Sequence, residues 1–369
     1  MKKTTLIIIG GFLGAGKTTL LWETARRLES CGERPGLITN DQASGLVDTA
    51  HLSRGGNAVV EVSGSCFCCN FNGFMEAVDH LRQKAGASPI LAEPVGSCTD
   101  ISATILQPVK MDLANNLRLA PFSVLIDPQR LDSLLLGGTA GLHPSAAYIL
   151  IKQLEEADII VISKADLLTT GQRLDLTAGV RERWPNASVH AVSAVSGQGL
   201  DAWLAEVQKD SGAGAYVTDV DYDIYAEGEA VLGWLNGTYL LTGWDVNWDA
   251  LGRTLLAALG GGFAREGLAV GHVKLFLQTP SGFLLGNLTG GLGVQGETRG
   301  SAGRGGQAEL IVNARVETTP VRLRQSVEQA LRAVCGDAVR LETIGSNCLS
   351  PGRPHPTYRV DRVIEAVSQ

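Results

Sequence analysis

Short, almost wholly apolar runs alternate with amphipathic stretches through the first two hundred residues of the chain. Residues 4–9 are the first such run, and its content of Leu and Ile suits a strand buried on both faces. A Gly-rich turn follows, and residues 18–29 carry apolar positions at helical spacing. Residues 35–39, 58–62, 89–92, 122–126, 158–162 and 188–192 read as further short strands. Residues 74–84 and 171–184 read as helices between them. Strand–helix alternation of this length predicts α/β architecture, a doubly wound parallel sheet over residues 1–210.

The pattern changes after Lys209. Residues 211–215, Ser-Gly-Ala-Gly-Ala, read as a linker. Beyond it the spacing predicts strand 230–241, helix 247–259, strands 270–277, 282–288 and 308–316, helix 320–335 and strand 338–344. That order describes a smaller α+β, ferredoxin-like domain over residues 220–369. The Gly-rich stretch 290–306 reads as a mobile loop. It contains Gly291-x-Gly293-x-x-Gly296, but no helix opens after it, so the dinucleotide fingerprint fails its context.

Composition narrows the function classes. With 44% hydrophobic and 19% charged residues, the 369-residue chain can build two cores. Its net charge of −7 and lack of a Lys/Arg run argue against nucleic-acid binding. No apolar run approaches the ~20 residues of a membrane helix. The apolar residues after Met1-Lys2-Lys3 are broken at Gly10 and Lys17, which disfavours a signal peptide. Seven cysteines, three of them within four positions, suit a reducing cytoplasm and metal or redox chemistry better than disulfides.

Gly11-Phe-Leu-Gly14-Ala15-Gly16-Lys17-Thr18 fits G-x-x-x-x-G-K-[ST] and lies between a predicted strand and helix. The loop's N–H groups would surround phosphate, Lys17 would reach the β- and γ-oxygens, and the Thr18 hydroxyl would hold Mg²⁺. Lys164-x-Asp166 ends a buried run, where its carboxylate can accept from N1 and N2 of guanine. Ser193-Ala194-x-x-Gly197 follows the last strand, with N–H groups for guanine O6. Glu93-Pro94-Val95-Gly96 offers a carboxylate for Mg²⁺ and an N–H for γ-phosphate. Cys66-Phe67-Cys68-Cys69 suits a soft, thiophilic cation such as Zn²⁺.

This set of motifs resembles the CobW-type family of P-loop GTPases, and the C-x-C-C inside a P-loop domain is its most specific mark. The resemblance implies GTP hydrolysis coupled to delivery of zinc, cobalt or another transition metal, or a metal cofactor, to a client protein, and in some members a link to cobalamin assembly. It assigns phosphate and Mg²⁺ to Gly14, Gly16, Lys17, Thr18 and Thr19, the γ-phosphate sensor to Glu93 and Gly96, and guanine to Lys164 and Asp166. Two of the carboxylates usual after the second strand are missing from Thr39-Asn40-Asp41-Gln42-Ala43-Ser44, Ser163 replaces an Asn, and Cys98 lies two residues past Gly96. Cys98 or Asp41 would then complete the thiolate site in one nucleotide state. The second domain, with no comparable ligand cluster, is expected to dock a client or form a homodimer, and Cys348 with His355 forms a candidate ligand pair. A rival reading is a nucleotide- and metal-sensing regulatory module without significant turnover. A small-molecule kinase is disfavoured by Lys-x-Asp and Ser-Ala-x-x-Gly.

Overall fold

The computed structural model describes residues 3–41, 47, 58–112, 116–209, 212–290 and 295–365. In the first half, β1 (Thr4–Gly11), β2 (Gly36–Asp41), β3 (Ala58–Ser63), β4 (Ile90–Glu93), β5 (Leu117–Leu119), β6 (Ser123–Ile126), β7 (Ile159–Ile162) and β8 (Ser188–Ala191) form one sheet. Its order is β3-β2-β4-β1-β6-β7-β8, with β5 beside the first residues of β1. Each pairing within it is parallel. Burial explains the choice of residues. Side chains of β1 alternate between two cores, Leu6 and Ile8 entering one and Ile7 and Ile9 the other. A strand covered on both faces has no polar side, so its sequence reads as an unbroken apolar run.

The second half has its own core beneath an antiparallel sheet. Its strands are β9 (Gly233–Asn247), β10 (Val270–Thr279), β11 (Gly282–Gly290), β12 (Gln295–Ser301), β13 (Arg304–Val316) and β14 (Val339–Leu349). They lie in the order β12-β11-β10-β13-β9-β14. Four of them, β14-β9-β13-β10, with helices Trp248–Arg265 and Pro320–Cys335, form the ferredoxin-like unit, and β11 and β12 extend it beyond β10.

Two expectations change. Residues 295–301, read as part of a mobile loop, pair with β11 from Thr289↔Gln295 to Phe283↔Ser301. The Gly-rich fingerprint falls largely outside the described residues, and its Gly296 lies in β12. The stretch read as a linker is tied to the first sheet. Gly214 N–H and Ala215 N–H donate to the Asp158 carboxylate, and the Gly214 carbonyl accepts from Gln107 and Lys110.

Beyond the helix Pro144–Glu155, Glu156 is fully buried and accepts from Ser102 N–H at 2.8 Å and the Thr99 hydroxyl at 3.1 Å. Burial, and then the nearby Asp100 carboxylate, push its carboxyl up from 4.5 to about 8. The folded state therefore holds a proton that the unfolded chain releases, and stability should fall as pH rises from about 4.5 to about 8. Glu156→Gln should flatten that decline in urea melts across the same window; an unchanged slope would show that Glu156 ionises freely in the fold.

Candidate functional site

The P-loop opens where β1 ends at the centre of the first sheet. Gly11 takes a φ of +129°, and a Cβ there would lie 2.3 Å from the Leu125 carbonyl, so only glycine lets β1 close against β6 before the turn. Lys17 folds back over the loop. Its ammonium donates to the Gly11 carbonyl at 2.8 Å and lies 3.9 Å from Glu93 Oε1. The Thr18 hydroxyl donates to the Glu93 carboxylate, 2.9 Å from its Oε2. The C-terminal end of β4 thus meets the first turn of the Lys17–Ser30 helix. Gly96 packs so closely that a Cβ on it would come within 2.9 Å of Lys17 Nζ.

Gly14, Ala15, Gly16, Lys17, Thr18 and Thr19 line a cavity of about 540 Å³, together with Glu93, Gly96, Lys164, Asp166, Ser193 and Ala194. Gly11 lies behind it and holds Lys17. Lys164 adopts the left-handed region at φ 52°, and its ammonium pairs with Asp127 Oδ2 at 2.7 Å. Ser163 donates to the Ile126 carbonyl at 3.1 Å, a bond that ties the Lys164–Asp166 turn to β6. Ser193 is fully buried and caps its own turn, accepting from Ser196 N–H at 3.1 Å.

The far wall of the cavity was not foreseen. It comes from the second sheet, whose His272, Lys274, Asn313 and Arg315 face the P-loop. In the sheet His272 pairs with Arg315 and Lys274 with Asn313, so four polar side chains form a compact patch. Lys274 Nζ donates to the Thr18 hydroxyl at 3.2 Å, which joins the two sheets at the P-loop. Desolvation, then Lys274 and Arg315, hold the His272 imidazole well below its ordinary range. The patch therefore presents neutral imidazole beside fixed cations.

The cysteines lie on the other side of β2. Cys66, Cys68 and Cys69 have sulfur atoms all within 4.8 Å of one another. Cys66 Sγ is 2.9 Å from Cys68 Sγ, and Cys68 Sγ is 3.9 Å from Cys69 Sγ. Asn70 closes the loop, capping the Phe71–Asp79 helix by accepting from Gly73 N–H at 3.1 Å. Cys98 is buried and acts on the Cys66 and Cys68 thiols, lowering the first and raising the second. Hydrogen bonds from Cys68, Cys69 and Cys98 hold the Cys66 thiol well below its usual range. Bonding to that same sulfur pushes Cys98 up and Cys69 to about 11. Asp41 ends β2, and its side chain lies outside the described residues, as do residues 42–46.

Two links join the thiols to the nucleotide cavity. Asn40, which lines the cavity, donates to the Val62 and Ser65 carbonyls at 2.8 Å each and accepts from Phe67 N–H at 2.9 Å. It clamps the cysteine loop on both sides. The second link runs from Glu93 to Cys98. Cys98 N–H donates to the Val95 carbonyl at 2.9 Å, and Gln153 Nε2 donates to the carbonyls of both Gly96 and Cys98. Ser97 donates to Glu229 Oε1 at 2.6 Å, so the Tyr222–Ala230 helix also supports this loop. Neither Asn40 nor Gln153 announced its role in the sequence, since a single amide carries no motif.

Residues 5–190, half of the chain, match the family described as CobW/HypB/UreG, nucleotide-binding domain. The chain belongs to that family. Among curated proteins it is 27% identical to an uncharacterized protein of Methanocaldococcus jannaschii over 194 residues, 52% of this chain and 72% of the relative. Among solved structures it is similar to the hydrogenase maturation factor HypB of Archaeoglobus fulgidus, at 18% identity and a TM-score of 0.38. That match covers 55% of this chain and 87% of HypB. It is also similar to the Zn(II)-bound YjiA GTPase of E. coli, at 15% identity and a TM-score of 0.37, over 89% of this chain and 99% of YjiA. Membership makes the P-loop cavity that of a nucleotide-binding domain, and the thiol cluster beside it could hold a metal ion. Among the described residues no helix is long and apolar enough to cross a membrane.

Proposed function

We propose that this protein is a GTP-hydrolysing metallochaperone that passes a zinc- or cobalt-class cation, or a cofactor containing one, to a client protein. The observation that carries this reading is the pair of links, Asn40 and the Glu93–Cys98 loop, joining a P-loop cavity to the cluster of Cys66, Cys68 and Cys69. Free, closely spaced thiols fit a reducing cytoplasm. We read residues 1–210 as the GTPase unit and 220–369 as the CobW C-terminal-like unit, which also closes the nucleotide cavity. A client or a second copy of the chain would meet the outer surface of that unit.

In this reading phosphate enters the loop formed by residues 11–18, and the Lys17 ammonium swings from the Gly11 carbonyl to its oxygens. The Thr18 hydroxyl and Glu93 carboxylate, already in contact, are the hard oxygen donors that Mg²⁺ requires. Mg²⁺ bound there would neutralise phosphate charge. Glu93 positions the attacking side of the site, and Lys274, held at Thr18, adds fixed positive charge where negative charge develops. Cys66, Cys68 and Cys69 bind the cargo, with Cys98 completing a tetrahedral thiolate set when the loop beyond Gly96 responds to γ-phosphate.

Base choice tests the nucleotide half. Asp166 reads guanine by accepting two hydrogen bonds, so Asp166→Asn should weaken GTP binding by about 10–100-fold and improve binding of xanthosine triphosphate, which carries an acceptor in place of the guanine amino group. Competition titrations with both nucleotides measure this. Equal wild-type affinity for ATP and GTP would remove Asp166 from the role.

A further inference from the structure

Residues 355–357 lie over the cysteine loop. Beyond β14 the backbone crosses to the first sheet, burying Pro351 and Pro354. There it is fastened to the cysteine loop and its neighbours. Thr357 N–H donates to the Cys68 carbonyl at 2.8 Å, the Thr357 hydroxyl to the Cys69 carbonyl at 3.0 Å, and Val360 N–H to the Ala103 carbonyl at 2.9 Å. Tyr358 meets Phe71 edge-on at 5.3 Å. Arg359 Nε donates at 2.8 Å to Asp100 Oδ2, a buried carboxylate that also accepts from Tyr222.

This strap touches a thiol directly. His355 N–H donates to Cys69 Sγ at 3.3 Å. The sequence suggested pairing His355 with Cys348; in the structure Cys348 S–H donates instead to the Pro320 carbonyl at 3.0 Å. Cys69 is the outward member of the cluster, half-buried where Cys66, Cys68 and Cys98 are buried, and His355 is exposed beside it. A histidine whose main-chain nitrogen already touches Sγ needs only a change of rotamer to bring its ring to the same cation.

Three thiolates leave one position open on a tetrahedral metal, and two donors stand at opposite ends of the cluster. Cys98 is inside, on the loop that leads to Glu93; His355 is outside, on the strap. We propose that His355 is the fourth metal donor in the nucleotide-free protein, brought to Cys66, Cys68 and Cys69 by the strap, and that Cys98 takes its place when γ-phosphate is bound. This assignment rests on the metal-binding reading above and extends it to how the cargo leaves. Imidazole and thiolate together suit zinc-class ions. A neutral imidazole also brings no negative charge, so the His355 set holds a divalent cation less tightly than four thiolates and faces solvent.

X-ray absorption of Zn²⁺-loaded full-length protein without nucleotide, with parallel Co²⁺ titrations, tests the assignment in wild type, His355→Ala and Thr357→Ala. Wild type should show three sulfur donors and one imidazole with its outer-shell scattering. His355→Ala should lose the imidazole signal and bind Co²⁺ about tenfold more weakly. Thr357→Ala keeps the histidine but removes a strap tie, and should weaken the same signal. A non-hydrolysable GTP analogue should convert wild type to four sulfurs. An imidazole-free first shell in wild type, or one unchanged by His355→Ala, overturns the assignment even where a thiolate-to-cobalt charge-transfer band shows that the cysteines bind metal. Absence of that band in wild type would sink the metal reading itself, and this one with it.

Discussion

Lys17→Ala is expected to lower GTP hydrolysis at least about 10²-fold, the largest loss from any single side chain in the cavity. The ammonium is buried at 6% exposure, held by main-chain oxygen of the loop that it crosses and flanked by the Glu93 carboxylate. It is therefore pre-positioned, and little reorganisation is needed when a phosphate displaces those carbonyls. Alanine removes the only loop side chain that can follow the γ-phosphate charge, and leaves the Gly11 and Phe12 carbonyls without this donor. Lys274 remains at Thr18 on the opposite side, so some binding should survive while turnover does not. Single-turnover hydrolysis beside a nucleotide-binding titration separates the two. Wild-type turnover in Lys17→Ala would remove the P-loop from the chemistry.

Much of this was legible in the sequence because it rests on local rules. Buried parallel strands need continuous apolar residues, so β1, β6 and β7 were visible as runs of Ile, Leu and Val. The Walker-type loop lies on one continuous stretch, and so does the C-x-C-C. What escaped depends on pairing at long range. β12 reads Gln-Gly-Glu-Thr-Arg-Gly-Ser, with no apolar period, and exists because β11 offers it a hydrogen-bonding edge. The patch of His272 and Lys274 left a trace, two polar residues at alternate positions in β10. That alternation marks a face turned from its own core, but nothing in it says that the P-loop covers the face. The strap left no trace at all, since main-chain bonds from Thr357 to Cys68 carry no sequence pattern.

The second large effect is on coupling. Cys98→Ser should abolish the dependence of metal affinity on nucleotide. Cys98 is connected to Glu93 through four residues, and Gln153 pins the Gly96 and Cys98 carbonyls, so a shift at Gly96 cannot be absorbed before it reaches the sulfur. The Asn40 clamp should move the cysteine loop from the other side, and Asn40→Ala is expected to reduce the same dependence while leaving the thiols in place. Serine at position 98 keeps the size of the residue and loses the soft donor, so its effect reports on ligation rather than packing. Linkage makes the coupling reciprocal: metal must change GTP affinity by the factor through which GTP changes metal affinity.

The most direct test is to titrate Zn²⁺ and Co²⁺ against the nucleotide-free, GDP-bound and non-hydrolysable-GTP-bound protein, in wild type and Cys98→Ser. The GTP-analogue form of wild type should bind metal about 5–150-fold more tightly than the other two, and the serine variant should show no such difference. Equal wild-type affinity in all three states would contradict the coupling.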